Sequence, residues 1–256
     1  MLDIEKNIYG KKWGRVHGGY FSDLQILKVY LDEVLKYLKL EKINVVGDLG
    51  GGTGFVLYSL LEHLGNTDIK LINIDSALEQ LAQVDVDCIK VLHKSFNEFK
   101  RGDLCLDKEC LMLIARSVLH YVGSNGLHPL LRHIGSQLEC GEYFIHQTAC
   151  FNKSCDADCL NEIYDMMKTG KWYPTVSTLI SSLEVSGFEV ESLIEVPSLP
   201  LKMEELSERY AIDLNDFKSR LNFWKEKYFD LNDVIVFSDK SFTAYLHYKI
   251  FICRKI

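Results

Sequence analysis

The stretch Asp48-Leu49-Gly50-Gly51-Gly52-Thr53-Gly54 joins an apolar run, Ile43 to Val46, to a segment of helical spacing, Phe55–Leu64. A strand that ends in an acid, passes through alternate glycines and then enters a helix constrains this chain more than any other feature. Glycine lets the backbone turn sharply and lets a ligand lie against bare main chain, where a Cβ would collide. A dinucleotide fingerprint needs glycines at the first, third and sixth places. Counted from Gly50, the sixth place is Phe55, so that reading fails. A phosphate loop of the Walker type ends in Gly-Lys-Ser/Thr, and Thr53-Gly54-Phe55 does not supply it. What remains is acid-x-Gly-x-Gly-x-Gly, a loop suited to a nucleoside ligand.

The order of elements around the loop predicts an α/β fold. Ser22-Asp23-Leu24-Gln25 has capping-box form, and Leu24, Leu27, Leu31, Val34, Leu35 and Leu38 then recur at helical spacing. Strands are expected at Ile43–Leu49, Lys70–Ile74, Cys88–Leu92, Cys110–Ala115 and Tyr143–His146. Helices are expected at Phe55–Leu64, Leu127–Leu138 and Thr175–Val185. Such alternation gives parallel strands with right-handed crossovers. Glu189–Val196 reads as a sixth strand. The last, Phe242–Cys253, alternates with Phe242, Ala244, Leu246, Tyr248, Ile250 and Ile252 on one face, and Asp239-Lys240 turns into it from Val234–Phe237. Outside the alternation stand Met1–Phe21 and Leu199–Asp230. The second reads as one or two amphipathic helices with Met203, Leu206, Tyr210, Phe217, Leu221, Trp224 and Tyr228 on the apolar side.

Composition narrows the function classes. The 256 residues suit one α/β domain with an elaboration, and a hydrophobic share of 47% suffices for a large core. No apolar run approaches the roughly 18–20 residues of a membrane span. A net charge of −7 argues against a nucleic-acid footprint. Met1-Leu2-Asp3-Ile4-Glu5-Lys6 has no apolar signal core, and eight cysteines without one read as reduced thiols, so a cytoplasmic location is expected. Cys150, Cys155 and Cys159 cluster past the fifth strand, but their spacing matches no common zinc pattern, and no metal site is expected.

With these residues in place, the chain resembles the class I S-adenosylmethionine-dependent methyltransferases over about residues 40–195. Asp48 to Gly54 matches the family's first motif. Asp75, ending Leu71-Ile72-Asn73-Ile74-Asp75, matches the acid that bonds the cofactor's ribose hydroxyls. A carboxylate suits that task because it accepts two hydroxyl protons at once. After the third strand, His93-Lys94-Ser95-Phe96 places Ser95 where the family often has an aspartate to the adenine amine, with Phe96 beside it. Leu111 to Val122 resembles the fourth-strand region of small-molecule members, and Trp13-Gly14-Arg15-Val16-His17-Gly18-Gly19-Tyr20-Phe21 is similar to a segment of tocopherol, sarcosine and cyclopropane-forming members. In those, the tyrosine lies by the cofactor's methionine end. The DNA amino-methyltransferase signature is absent, since Ala115-Arg116-Ser117-Val118 occupies its place.

The resemblance implies a Rossmann-like, doubly wound, seven-stranded mixed sheet with its last strand antiparallel. A helical N-terminal lid (residues 1–39) precedes a cofactor-binding core (40–198). A helical cap insertion (199–230) precedes a C-terminal hairpin (231–256). S-adenosyl-L-methionine, and its product S-adenosyl-L-homocysteine, are expected to contact Asp48, Gly50, Gly51, Gly52, Gly54, Asp75, Ser76, Ser95, Phe96, Arg116 and Tyr20. His120 is the expected base, and His17, Tyr121 and Trp224 are expected on the acceptor side. The implied activity is methyl transfer to a small molecule, by a monomer or homodimer without nucleic-acid or membrane partners. A non-catalytic S-adenosyl ligand-binding protein and a protein methyltransferase are the alternatives.

Overall fold

A computed structural model of the chain describes residues 19–65, 68–84 and 87–256. Helix α1 (Leu24–Leu40) leads into β1 (Val45–Leu49), α2 (Phe55–Leu64), β2 (Lys70–Asp75) and the single turn α3 (Leu78–Leu81). After β3 (Ile89–His93) come another single turn, α4 (Arg101–Leu104), then β4 (Leu111–Arg116), a 3-10 turn over Leu119–Val122, α5 (Gly123–Ser136) and β5 (Tyr143–Ala149). The chain continues through α6 (Ser154–Met166), α7 (Val176–Val185), β6 (Phe188–Glu195), β7 (Leu199–Lys202), α8 (Met203–Tyr210) and α9 (Leu214–Lys227). It ends with β8 (Ile235–Phe237), β9 (Phe242–Leu246) and β10 (Tyr248–Lys255).

Seven strands form one sheet in the order β3-β2-β1-β4-β5-β10-β6, with β10 antiparallel to both neighbours. Every residue of β1 is buried, because helices cover both sheet faces. On one face α1 and α2 pack against Val46, Met112, Ile114 and Ile145. On the other, α5 and α7 pack against Val45, Leu49, Leu113 and Ala115. The strand order reverses between β1 and β4, and this switch point opens a crevice at the carboxyl ends of the strands.

Several local expectations shift. The N-cap of α1 is Asp23, which accepts from the amides of Gln25 and Ile26, while the Ser22 hydroxyl donates to Gly19 O. Leu24 is exposed, and the helix instead buries Tyr30 completely. Helix α6 was absent from the hydrophobic pattern, since its Ser154-Cys155-Asp156-Ala157-Asp158 start carries few apolar residues. The long final strand is two strands. At His247 the chain leaves a small antiparallel sheet, β7-β9-β8, and enters the main one. One alternating face runs through the break because both segments bury it, β9 in the cap and β10 in the main core.

The insertion before the hairpin is β7 followed by α8 and α9. Its apolar side, Met203, Leu206, Tyr210, Phe217, Leu221, Trp224 and Tyr228, is buried as expected. It forms a separate core with α6 and the small sheet. No helix among the described residues is long and apolar enough to cross a membrane.

Candidate active site

The crevice at the switch point encloses about 340 Å³. Its floor is the loop after β1, tied to β2 by main-chain and side-chain bonds. Gly50 N donates to Ile74 O at 2.7 Å, and Asn73 Nδ2 donates to Gly52 O at 2.9 Å. Glycine is needed at Gly51 for space, since a Cβ there would lie 2.2 Å from Asn73 Oδ1 and 2.6 Å from Asp48 Oδ2. At Gly52 the reason is φ +56°, with Gln80 Oε1 2.4 Å from the place of a Cβ.

The two acids differ in environment. Asp75 Oδ2 accepts from Gly52 N at 2.9 Å and its Oδ1 from Ala77 N at 2.7 Å, so it braces the loop it faces. Asp48 is buried at the end of β1, and its Oδ2 has no hydrogen-bond partner among the described residues. Burial, and then the charge of Asp75, push its carboxyl up to about 7, against the pull of Arg116.

Residues named from the sequence fall into four groups. Asp48, Gly50, Gly51, Gly52, Asp75, Ser76, Ser95, Phe96, Arg116 and Tyr121 all line the crevice. Gly54 lies beneath it as the left-handed N-cap of α2, at φ +80°. Tyr20, His120 and Trp224 lie away from it, and His17 falls outside the described residues. Tyr20 is buried with its hydroxyl donating to Pro197 O at 2.6 Å, and its ring packs against Phe21 and Tyr248. It is Phe21 that reaches the crevice.

His120, the expected base, is buried and does not line the crevice. The 3-10 turn after β4 directs its ring inward, 5.3 Å from and stacked on Tyr173, with the Tyr121 ring 4.2 Å away. Trp224 lies wholly inside the cap core, its Nε1 donating to Glu162 Oε1 at 3.0 Å. Three apolar surfaces meet there, α6, α9 and β9, which is why its ring packs inward instead of walling an acceptor pocket.

Sequence reasoning missed Gln80, Asn97, Ser117 and Val118, which also line the crevice. Ser117 carried one signal, its place directly after a strand. It sits at φ +62°, rare for a side chain with a Cβ, and its hydroxyl is 2.7 Å from the Tyr248 hydroxyl. Behind Tyr121 lies Lys171, a buried cation whose Nζ is 4.6 Å from that ring centre and donates to the Tyr210 hydroxyl at 2.9 Å. Cys150 and Cys159 do not line the crevice, and burial pushes both thiols up to about 12. No group of His, Cys, Asp and Glu among the described residues could hold a metal ion.

In sequence the chain matches no protein-family profile and no curated protein. Solved structures are similar in three dimensions. A candidate methyltransferase from Bacillus halodurans C-125 aligns over 88% of this chain and 98% of its own, with a TM-score of 0.69 and 15% identity. The fold is that of the class I methyltransferases. A candidate sarcosine dimethylglycine methyltransferase from Galdieria sulphuraria aligns over 91% of this chain and 86% of its own, with a TM-score of 0.58 and 13% identity. LepI, solved in complex with S-adenosylmethionine, aligns over 84% of this chain and 43% of its own, with a TM-score of 0.53 and 11% identity.

Proposed function

We propose that this protein binds S-adenosylmethionine in the crevice and transfers its methyl group, by in-line displacement, to a small-molecule acceptor. The observation that carries the reading is the pairing of acids at the ends of β1 and β2 with a glycine floor that excludes every Cβ. The residues fit the cofactor's three parts. Asp75 suits the ribose hydroxyls, because its carboxylate lines the crevice and is braced there by Gly52 N and Ala77 N. Ser95, Phe96 and Asn97, which follow β3 beside it, line the crevice and suit the base. The orphaned Asp48 Oδ2 suits a cation, such as the ammonium of an amino-acid group.

Bound S-adenosylmethionine supplies a sulfonium-activated methyl group, so the protein's task is chiefly positioning. Holding two reactants in line can supply on the order of 7–11 kcal/mol of the barrier in favourable cases. The apolar rings of Phe21, Phe55 and Phe96 line the same crevice. His120 has no part in this scheme, because it does not line the crevice.

The test is to incubate the protein with S-adenosylmethionine and a panel of small hydroxyl, amine and thiol compounds, and to follow S-adenosylhomocysteine. Acceptor-dependent product supports transfer; tight binding with no product under any acceptor supports a ligand-binding role instead.

A further inference from the structure

Asp48 and Asn73 are register partners near the carboxyl ends of β1 and β2, so their side chains leave the same face of the sheet. Both are buried. Asn73 Nδ2 donates to Gly52 O at 2.9 Å, and this bond fixes which way the amide oxygen points. That oxygen and Asp48 Oδ2 close on one small space, lying 2.2 Å and 2.6 Å from the point where a Cβ on Gly51 would stand. Two acceptors thus converge at the floor of the crevice, and neither has a hydrogen-bond partner among the described residues.

Acceptors that meet in a buried space call for a donor between them. The amides of the four loop glycines are committed elsewhere. Gly50 and Gly51 donate to Ile74 O, Gly52 to Asp75 Oδ2 and Gly54 to Gly51 O. A carboxyl supplies the missing donor itself when it is protonated. The ionisable groups that bear on Asp48 favour that state. Asp75, at the end of β2, opposes a second negative charge, and Arg116, at the end of β4, favours one. Tyr30 of α1 stays a neutral phenol, its hydroxyl bonded to the main chain of β4 and β5. Burial and Asp75 outweigh Arg116, so the carboxyl keeps its proton up to about pH 7.

We propose that Asn73 positions Asp48 for a proton exchange: in the free crevice Asn73 Oδ1 holds the proton carried by Asp48 Oδ2, and a ligand's ammonium replaces that proton on binding. The proposal rests on the crevice being an S-adenosyl site, as in the function proposed above. The neutral carboxyl loses its O–H proton to solvent, no covalent bond forms to the ligand, and the carboxylate left behind accepts from the ammonium N–H. The buried floor is therefore neutral in both states, which avoids an uncompensated charge. Affinity then rises with pH, by about tenfold per unit, until the carboxyl ionises unaided, and levels off above that point.

Two measurements on the full chain test this. In the first, free protein carrying carbon-13 in its Asp and Asn side chains is titrated by NMR. The Asp48 signal is the one missing from Asp48→Asn, and the Asn73 signal is the one missing from Asn73→Leu. The Asp48 midpoint is expected at about 7, and the Asn73 side-chain carbonyl carbon is expected to shift with that midpoint. In the second, S-adenosylhomocysteine is titrated calorimetrically in two buffers of different ionisation enthalpy at pH 6. Wild type is expected to release roughly one proton per ligand and to gain about fiftyfold in affinity from pH 5 to 7. Asp48→Asn, whose amide is a permanent donor to Asn73, is expected to release none and to bind with a flat pH profile.

The proposal is overturned if Asp48 titrates in the ordinary carboxylate range, if the Asn73 carbon ignores the Asp48 midpoint, or if affinity is independent of pH and no proton is released. Failure of S-adenosylhomocysteine to bind wild type would contradict the proposed function and with it the exchange. The NMR titration of the free protein would then still decide whether Asn73 holds the proton.

Discussion

Asp48 is the residue at which fold and ligand compete. Its carboxyl is pushed up to about 7 from an ordinary value near 3.8, first by burial and then by Asp75. Between those two pH values the folded chain holds a proton that the unfolded chain has released, so stability falls as pH rises. Asp48→Asn lifts this penalty. Relative to wild type, its unfolding free energy in urea is expected to gain about 1.4 kcal/mol per pH unit from pH 4 to 7 and then level off. The total, of order 4 kcal/mol, is an upper bound; a pH-independent difference would contradict it. His146 works in the opposite sense, since burial drives it down to about 3 and stability is lost as pH falls from about 6.5. Replacing Gly52 tests the floor directly. Gly52→Val meets both an unfavourable φ and Gln80 Oε1, and should weaken S-adenosylhomocysteine at least tenfold while the far-ultraviolet spectrum persists. At this scale the sequence was legible wherever a motif sits on consecutive residues, as in Asp48–Gly54 and Asp75. Asn73 was not, because its meaning arises only when β2 pairs beside β1 and brings it to Asp48.

At the scale of elements, buried polar anchors hold the strand ends in register. Tyr30 of α1 places its hydroxyl between β4 and β5, accepting from Ala115 N at 3.1 Å and donating to Ile145 O at 2.9 Å. Tyr30→Phe strands those groups just below the crevice and should cost about 1–3 kcal/mol in chemical denaturation. At the other end of the sheet, the buried Glu142 receives Arg101 Nη1 at 2.6 Å and Nη2 at 2.8 Å, together with the amides of Leu111 and Glu139. Arg101→Met removes the partner of a buried charge and should destabilise by about 3 kcal/mol. The cap is a packing unit of its own kind. Trp224→Ala should cost about 3–5 kcal/mol yet leave S-adenosylhomocysteine affinity within twofold in the folded fraction, since Trp224 does not line the crevice. Elements with strong periodicity, such as α1, α2 and β6, were legible within a residue or two. The break at His247 was hidden because the same side-chain alternation serves two different cores.

The whole molecule joins two cores at one edge of a crevice. The strand order reverses at the switch point, and the carboxyl ends of β1, β2 and β4, with the segments that follow β1, β2, β3 and β4, supply every lining residue except those from α2, α3 and Phe21. Fold class and the acid-bearing half of the site could be read from residue order alone. In the far half, Arg116 and Tyr121 were legible from the stretch that follows the fourth strand, whereas Ser117 takes its place from a contact with Tyr248 of β10 that no local pattern encodes. The measurement that bears most directly on this account is calorimetric titration of S-adenosylhomocysteine into wild type and Asp75→Asn. The account predicts one site per chain in wild type and affinity weakened roughly tenfold or more in the variant, from loss of charge-assisted bonds. No binding to wild type, or equal affinity in Asp75→Asn, would contradict it.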